Sequence, residues 1–319
     1  DDNIYIEDFD VSNDGENLVI VAAPGPSMRE YINRDIYIKK SKDGELKKLN
    51  RNKLIEGSVY FSPQGNKICY TASIKDKDYY EFRIQENTLE IYDLDNGDVL
   101  HPLEEHDSTL LPIRWTEEGI LIRWQDKTNY RIGILKGNGS VQSLLDFSES
   151  FSLDPSITRD GKHFTCQLAL KNETFEVYLD NKRITNENSL FEGKLRSNRE
   201  VISWKSSDET EIEGVLTTPV DYDFNRKYPL LIVAHGGPAW ASFPISSNCF
   251  NGKYPIEQFI EKGFIVLEPN YKGSSGYGNE FLKANYQKLG IAYYDDVMSG
   301  IDKLIETGLV DEQRIGIMG

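Results

Sequence analysis

Cysteine is scarce: Cys69, Cys166 and Cys249 are the only three in 319 residues. Thiols so few and scattered cannot form a disulfide framework, and they lack the spacing of a zinc site. An odd number of isolated cysteines suits a reducing compartment, so a cytoplasmic location is expected. Basic residues are also in deficit, 36 Lys and Arg against 52 Asp and Glu, which leaves a net charge of −16. No nucleic-acid partner is expected, because neutralising phosphates needs clustered Lys and Arg. Long apolar runs are missing too. None approaches the roughly 18 residues of a membrane span, so no membrane partner is expected. The opening DDNIYIEDFD has neither a basic n-region nor an apolar h-region, and no secretion signal is expected. The sequons at Asn138 and Asn172 matter only in a secreted protein and carry no weight here.

What is present describes a folded chain. Hydrophobic residues at 39% and charged residues at 28% are ordinary for a globular protein and not for a disordered one. The length suits about two domains.

Residues 1 to about 195 read as short strands separated by turns, with little helical periodicity. A loose repeat runs through them: VSNDGENLVIVA, FSPQGNKICYTA, WTEEGILIRWQD and ITRDGKHFTCQL, whose turn glycines are Gly15, Gly65, Gly119 and Gly161. Each copy is followed by a further strand and a second turn rich in Asp-Gly, Asn-Gly or Asp-Asn, pairs that tolerate positive φ in tight hairpins. A period of about 40 to 55 residues built from about four strands marks propeller blades. An all-β sandwich with accidental turn similarity is the competing reading. Asp93, Asp95, Asn96, Gly97 and Asp98 faintly resemble a calcium loop but lack the distal Glu, so a hairpin turn is expected and no metal site.

The pattern changes near residue 200. EVISWKSSDETEIEGVLTTP (200–219) alternates on both sides of Ser207-Asp208, as an antiparallel hairpin does. YPLLIVA (228–234), GFIVLEP (263–269) and RIGIM (314–318) are continuous apolar runs, expected for strands buried on both faces of a mainly parallel sheet. Helices are expected over 255–262, 279–288 and 293–307, the last with Val297, Ile301, Leu304 and Ile305 on one stripe. Strands alternating with helices imply a doubly wound sheet, with sites at the carboxyl ends of its strands.

Three segments bear on chemistry. After the strand at 228–234 come His235, Gly236, Gly237 and Pro238. Glycines there let backbone N–H groups approach a ligand with no Cβ in the way. This is the position of an oxyanion-hole loop in α/β-hydrolases, where one such donor is worth about 3 kcal/mol of barrier; a plain glycine turn is the bland alternative. PNYKGSSGYG (269–278) fails both phosphate-loop patterns, and neither Ser274 nor Ser275 is central in G-x-S-x-G. It is expected to be a structural turn flooring the site. Gly319, after RIGIM, would be the first glycine of a nucleophile elbow, with the serine about two residues further on.

HGGP, PNYKGSSGYG and GLVDEQRIGIMG, in that order, are similar to the prolyl oligopeptidase family and nearest to its acylaminoacyl-peptidase-like branch. The branch commonly has Arg where Lys272 stands. The likeness covers most of 200–319 with specific motifs, and 1–195 only through the blade-like repeats. It implies a propeller capping an α/β-hydrolase domain, a Ser, Asp, His triad in that chain order, and cleavage of short peptides that the propeller admits. Gly237 would supply one oxyanion-hole N–H, and the residue after the serine the other. His235 and Gly236 would line the substrate site; His235 is not the triad base, which must follow the nucleophile. His101, His106 and His163 are expected at the surface or within blades. Glu104-Glu105 suggests the acidic pair that binds a peptide amine in dipeptidyl peptidases, but nothing around it matches, and a solvated loop is expected.

The expected fold class is therefore a partial β-propeller of about four blades over 1–197, with N-terminal blades missing, followed by the first part of an α/β-hydrolase domain over 198–319. The expected function is a serine hydrolase cleaving short peptides, N-blocked ones among them, through an acyl-enzyme and without a cofactor. With the triad expected beyond Gly319, the 1–319 chain should be inactive alone. It should need a complementary C-terminal segment or chain, because RIGIM would otherwise be an exposed edge; homo-oligomerisation stays open. Two other readings stand beside this one: a non-catalytic peptide-binding propeller on a degenerate hydrolase scaffold, and an esterase for small esters.

Overall fold

Gly15, Gly65, Gly119 and Gly161 all adopt positive φ, between 74° and 138°, a region that costs glycine little and other residues more. Each sits at the turn between the first and second strands of a four-stranded sheet. The computed structural model describes residues 4–319 except 28, 42–43, 50–53, 75–85, 146, 195–196, 238, 251–253, 289 and 292. The first sheet consists of β1 (Tyr5–Val11), β2 (Asn17–Ala23), β3 (Asp35–Lys40) and β4 (Leu46–Lys48). The second has β5 (Leu54–Phe61), β6 (Lys67–Ile74), β7 (Thr88–Asp93) and β8 (Val99–Leu100). The third has β9 (Leu110–Thr116), β10 (Gly119–Asp126), β11 (Asn129–Leu135) and β12 (Val141–Ser143). The fourth has β13 (Ser150–Ile157), β14 (Phe164–Leu170), β15 (Glu176–Leu179) and β16 (Lys182–Arg183). In all four, strands adjacent in sequence are adjacent in the sheet.

The chain divides into two compact units: residues 1–124, 132–145 and 155–165, and residues 125–131, 146–154 and 166–319. In the first unit the sheets stack face to face. Ile68, Tyr70 and Ala72 of β6 pack with Val19, Val21, Ile36 and Ile38 of the first sheet. Cys69, between them in sequence, packs the other way, with Leu110, Ile120 and Ile122 of the third. Strand alternation thus gives the middle sheet two buried faces. Asp8 and Asp10 of β1 add bonds across the stack, accepting the backbone N–H groups of Val59 and Phe61 at 3.1 and 2.8 Å.

The second unit contains a five-stranded sheet: β17 (Ser197–Lys205), β18 (Glu211–Pro219), β19 (Tyr228–Val233), β20 (Ile265–Asn270) and β21 (Val310–Met318). Their order is β17-β18-β20-β19-β21. The β17–β18 hairpin is antiparallel about Ser207-Asp208, as its alternation predicts, and β18 is antiparallel to β20. The pairs β20–β19 and β19–β21 are parallel. Helices α1 (Ile256–Glu261), α2 (Asn279–Lys283) and α3 (Tyr294–Glu306) belong to the same unit. The apolar run of β19 is explained by two covered faces. Leu230 and Ile232 join Val297, Ile301 and Leu304 of α3 in one core, whereas Leu231 and Val233 meet Ile256 and Ile260 of α1 in another. Each fully buried Leu or Ile contributes about 1.5–3 kcal/mol.

One helix differs from expectation. Helix α2 stops at Lys283, because the chain bends so that Asn285 buries against Gly273, and Gln287 takes a φ of 54°. Among the described residues strand β21 takes the outer place beside β19, the exposed edge expected of RIGIM, and Ile317 is 67% exposed. A continuous apolar run reports what a strand can bury, not which neighbours cover it. Among the described residues no helix is long and apolar enough to cross a membrane.

Candidate active site

Three parallel strands end side by side, and their carboxyl ends carry the three segments singled out by sequence. Val233 is the register partner of Met318, and the Ala234 N–H donates to the Met318 carbonyl at 2.9 Å. A Cβ on Gly319 would fall 2.4 Å from the Ala234 carbonyl oxygen, so only glycine lets the end of β21 lie this close to the start of the loop after β19.

In that loop Gly236 and Gly237 are both exposed. A Cβ at Gly236 would meet nothing within 4 Å, and Gly237 has a φ of 131°. Among the described residues no backbone carbonyl accepts the Gly237 N–H. Pro238 lies outside the described residues.

His235 anchors the open loop. Its ring stacks on Tyr271 at 4.5 Å and 11°. Nε2 is 2.9 Å from Ser274 Oγ and Nδ1 is 3.1 Å from the Gly236 carbonyl oxygen. The Ser274 hydroxyl donates to the Tyr271 carbonyl at 2.7 Å, and the Tyr271 hydroxyl donates back to the His235 carbonyl. The Gly236 carbonyl can only accept, whereas Ser274 Oγ can accept or donate, so the roles of the two ring nitrogens follow the tautomer. Burial pulls the His235 pKa down to about 4, against the smaller opposing pull of the Gly236 carbonyl. The ring is therefore neutral at pH 7.

This Ser–His pair is a clamp and not a nucleophile with its base. Ser274 is fully buried, and attack on a carbonyl needs an accessible oxygen whose proton the base can take. Ser275 is committed as well: its hydroxyl donates to Gln125 Oε1 at 2.8 Å and its N–H to the Trp240 carbonyl at 3.2 Å.

The rest of the loop after β20 is bonded into its surroundings. Asn270, fully buried, accepts from the Ser242 N–H at 2.6 Å and donates to the Ser242 carbonyl and the Tyr277 hydroxyl. Tyr277 donates in turn to Glu213, which also pairs with Lys127 at 2.7 Å. Lys272 bridges Asp208 at 2.7 Å and the buried Asp296 of α3 at 3.0 Å. Burial opposes the Lys272 charge, but the two carboxylates outweigh it and raise its pKa. The same ammonium holds Asp208 down at about 2. Lys272 therefore bolts the loop to α3.

The remaining candidates have surroundings of their own. Glu104 and Glu105 are exposed in a turn. His101 approaches Glu90 at 3.5 Å, and His106 lies 2.9 Å from Ser108 and edge-on to Trp124. Asp93 and Asn96 accept backbone N–H groups within their own turn, from Asp95 and Asp98 at 3.0 and 2.9 Å. Cys69 and Cys166 are buried, and burial pushes the Cys166 thiol up to about 12. Among the described residues no group of three or more His, Cys, Asp or Glu is arranged to hold a metal. Sequence reasoning missed the His235–Ser274 bond, Asp296 and Trp240. A Trp immediately after a glycine loop was the one available signal.

Comparison with known proteins agrees with the motifs. The prolyl oligopeptidase family model matches residues 253–319. Dipeptidyl-peptidase 5 of Porphyromonas gingivalis is 24% identical over 98% of this chain and 46% of its own length. An uncharacterized peptidase of Bacillus subtilis is 28% identical over 64% of this chain and 32% of its own. Among solved structures, the acylaminoacyl peptidase of Pyrococcus horikoshii superposes with a TM-score of 0.78 at 20% identity, over 97% of this chain and 47% of that one. A puromycin hydrolase gives a TM-score of 0.73 at 17% identity, over 98% and 48%. At these identities the structural likeness speaks for fold alone. The chain spans about half the length of these two solved structures and of the first of these relatives. The family resemblance read from the motifs holds over residues 253–319, which match the prolyl oligopeptidase family model.

Proposed function

We propose that the protein is a serine peptidase that cleaves short peptides, N-blocked ones among them, through an acyl-enzyme. In this reading the four four-stranded sheets are propeller blades that limit access, and residues 198–319 are the first part of an α/β-hydrolase domain. Gly237 donates its N–H to the oxyanion, Gly236 and His235 line the substrate site, and Gly319 opens the elbow that presents the nucleophile. The supporting observation is the adjacency of the Gly236–Gly237 loop and the tip of β21, tied by the 2.9 Å bond from Ala234 to Met318. A donor leaving the third strand of the sheet beside a strand-to-helix elbow is the arrangement acyl transfer uses, because negative charge forms between the two. His235, neutral and clamped, keeps the loop in place without acting as base.

A fluorophosphonate probe tests this directly. Full-length protein should be labelled on a serine two residues after Gly319, while a 1–319 chain made separately should stay unlabelled. Labelling of the 1–319 chain, or failure of the full-length protein to react, would overturn the assignment.

A further inference from the structure

Trp240 is 41% exposed only three residues after Gly237. A Cβ built on Gly237 would lie 3.3 Å from both Trp240 Cβ and Trp240 N, so the indole is rooted against the glycine itself. Two of its contacts bear on its position. Its carbonyl accepts the Ser275 N–H at 3.2 Å. Its ring stands edge-on to Phe243 at 6.1 Å and 78°. Phe243 is buried and belongs to a cluster of edge-on aromatic rings, 4.5 Å from Phe151, which is 4.7 Å from Tyr130. Trp240 is therefore the exposed end of a run of packed aromatic rings whose middle members, Phe243 and Phe151, are buried. A large aromatic surface held in advance costs little entropy when it meets a ligand, and such surfaces are characteristic of binding sites.

We propose that Trp240 is a specificity-determining residue, and that it receives an apolar or aromatic side chain of the peptide within one residue of the attacked carbonyl. The inference rests on Gly237 being the oxyanion donor, which sets where that carbonyl lies. The residues nearest the carbonyl are then those within reach of an indole rooted at the same glycine. The indole offers an apolar face and no charge, so it favours Phe or Leu there over Gly, and over Asp or Glu.

Affinity separates this inference from the catalytic reading. Full-length protein, Trp240→Ala and Trp240→Phe are titrated by calorimetry with two uncleavable reduced-amide peptides that carry Phe or Gly beside the reduced bond. The native protein should bind the Phe peptide about tenfold more tightly, the worth of one aromatic contact. Trp240→Ala should bring that ratio close to one, and Trp240→Phe should keep most of it. An unchanged ratio in Trp240→Ala, or an equal loss for both peptides, overturns the proposal. Fluorophosphonate labelling of the same samples reports on the hydrolase chemistry independently: labelled protein whose ratio does not respond to Trp240 refutes only the specificity role.

Discussion

The loops after β19 and β20 are both rich in glycine, leave neighbouring parallel strands, and use glycine for opposite ends. In the first, a Cβ at Gly236 would meet nothing, and the Gly237 amide has no backbone acceptor among the described residues. In the second, a Cβ at Gly273 would lie 2.7 Å from Asn285 Cβ, and one at Gly276 would lie 2.6 Å from the Gln125 side chain. One loop keeps its backbone open, and the other presses its backbone into neighbouring side chains. Glycine content alone does not tell these apart; what surrounds each Cα does.

The largest effects expected from this contrast are a crossed pair. Gly273→Ala must displace Asn285 near its own backbone and hold a φ of 101°, so it should lose about 3 kcal/mol of stability. Gly237→Ala strains an exposed residue at a φ of 131° and should lose only about 1 kcal/mol. By moving the donor, it should nevertheless lower kcat about 100-fold. Denaturant unfolding and peptide turnover measured on the same full-length preparations check both halves. Parallel losses of stability and activity in the two variants would erase the distinction.

The contrast also shows what the sequence could reveal. Local signals carried far: turn glycines marked the first hairpin of each four-stranded sheet, the alternation about Ser207-Asp208 marked β17 and β18, and the runs at Leu230–Val233 and Ile265–Leu267 marked strands with two covered faces. In the candidate site, the position of the glycine loop beyond β19 was legible from its strand. Its anchoring was not, because His235 and Ser274 are 39 residues apart and meet only through the pairing of β19 with β20. Lys272 read as a mild departure from a motif, whereas its role comes from Asp296, 24 residues away on α3.

The clamp between the two loops should appear as a pH effect. The His235 pKa lies near 4 in the folded chain and near 6.5 unfolded. The unfolded state therefore binds the extra proton first as pH falls. The stability due to the neutral ring is complete above about pH 6.5 and is lost progressively towards pH 4, by about 1–3 kcal/mol. Because carboxylates also titrate in this range, the quantity to measure is the difference between native protein and His235→Gln in unfolding free energy against pH. The native curve should fall more steeply between pH 6.5 and 4. Parallel curves would mean that the ring is protonated without cost, and that the first loop is not held through a neutral histidine.

The smallest expected effect lies at the outer end of the packed loop, where Tyr277 and Lys127 share Glu213. Glu213 raises the Lys127 pKa by hydrogen bonding, but the lysine side chain is 50% exposed, so water and salt screen most of the attraction. Lys127→Met should therefore cost less than about 1 kcal/mol, and the difference should vanish at high ionic strength. Tyr277→Phe should cost more, about 1–3 kcal/mol, because it strips a hydrogen bond from fully buried Asn270 and one from Glu213. Urea unfolding of the two variants at low and high salt provides the measurement. If Lys127→Met proves the costlier change, the second loop is held from its charged rim and not from its buried hydrogen bonds, and its contrast with the open loop weakens accordingly.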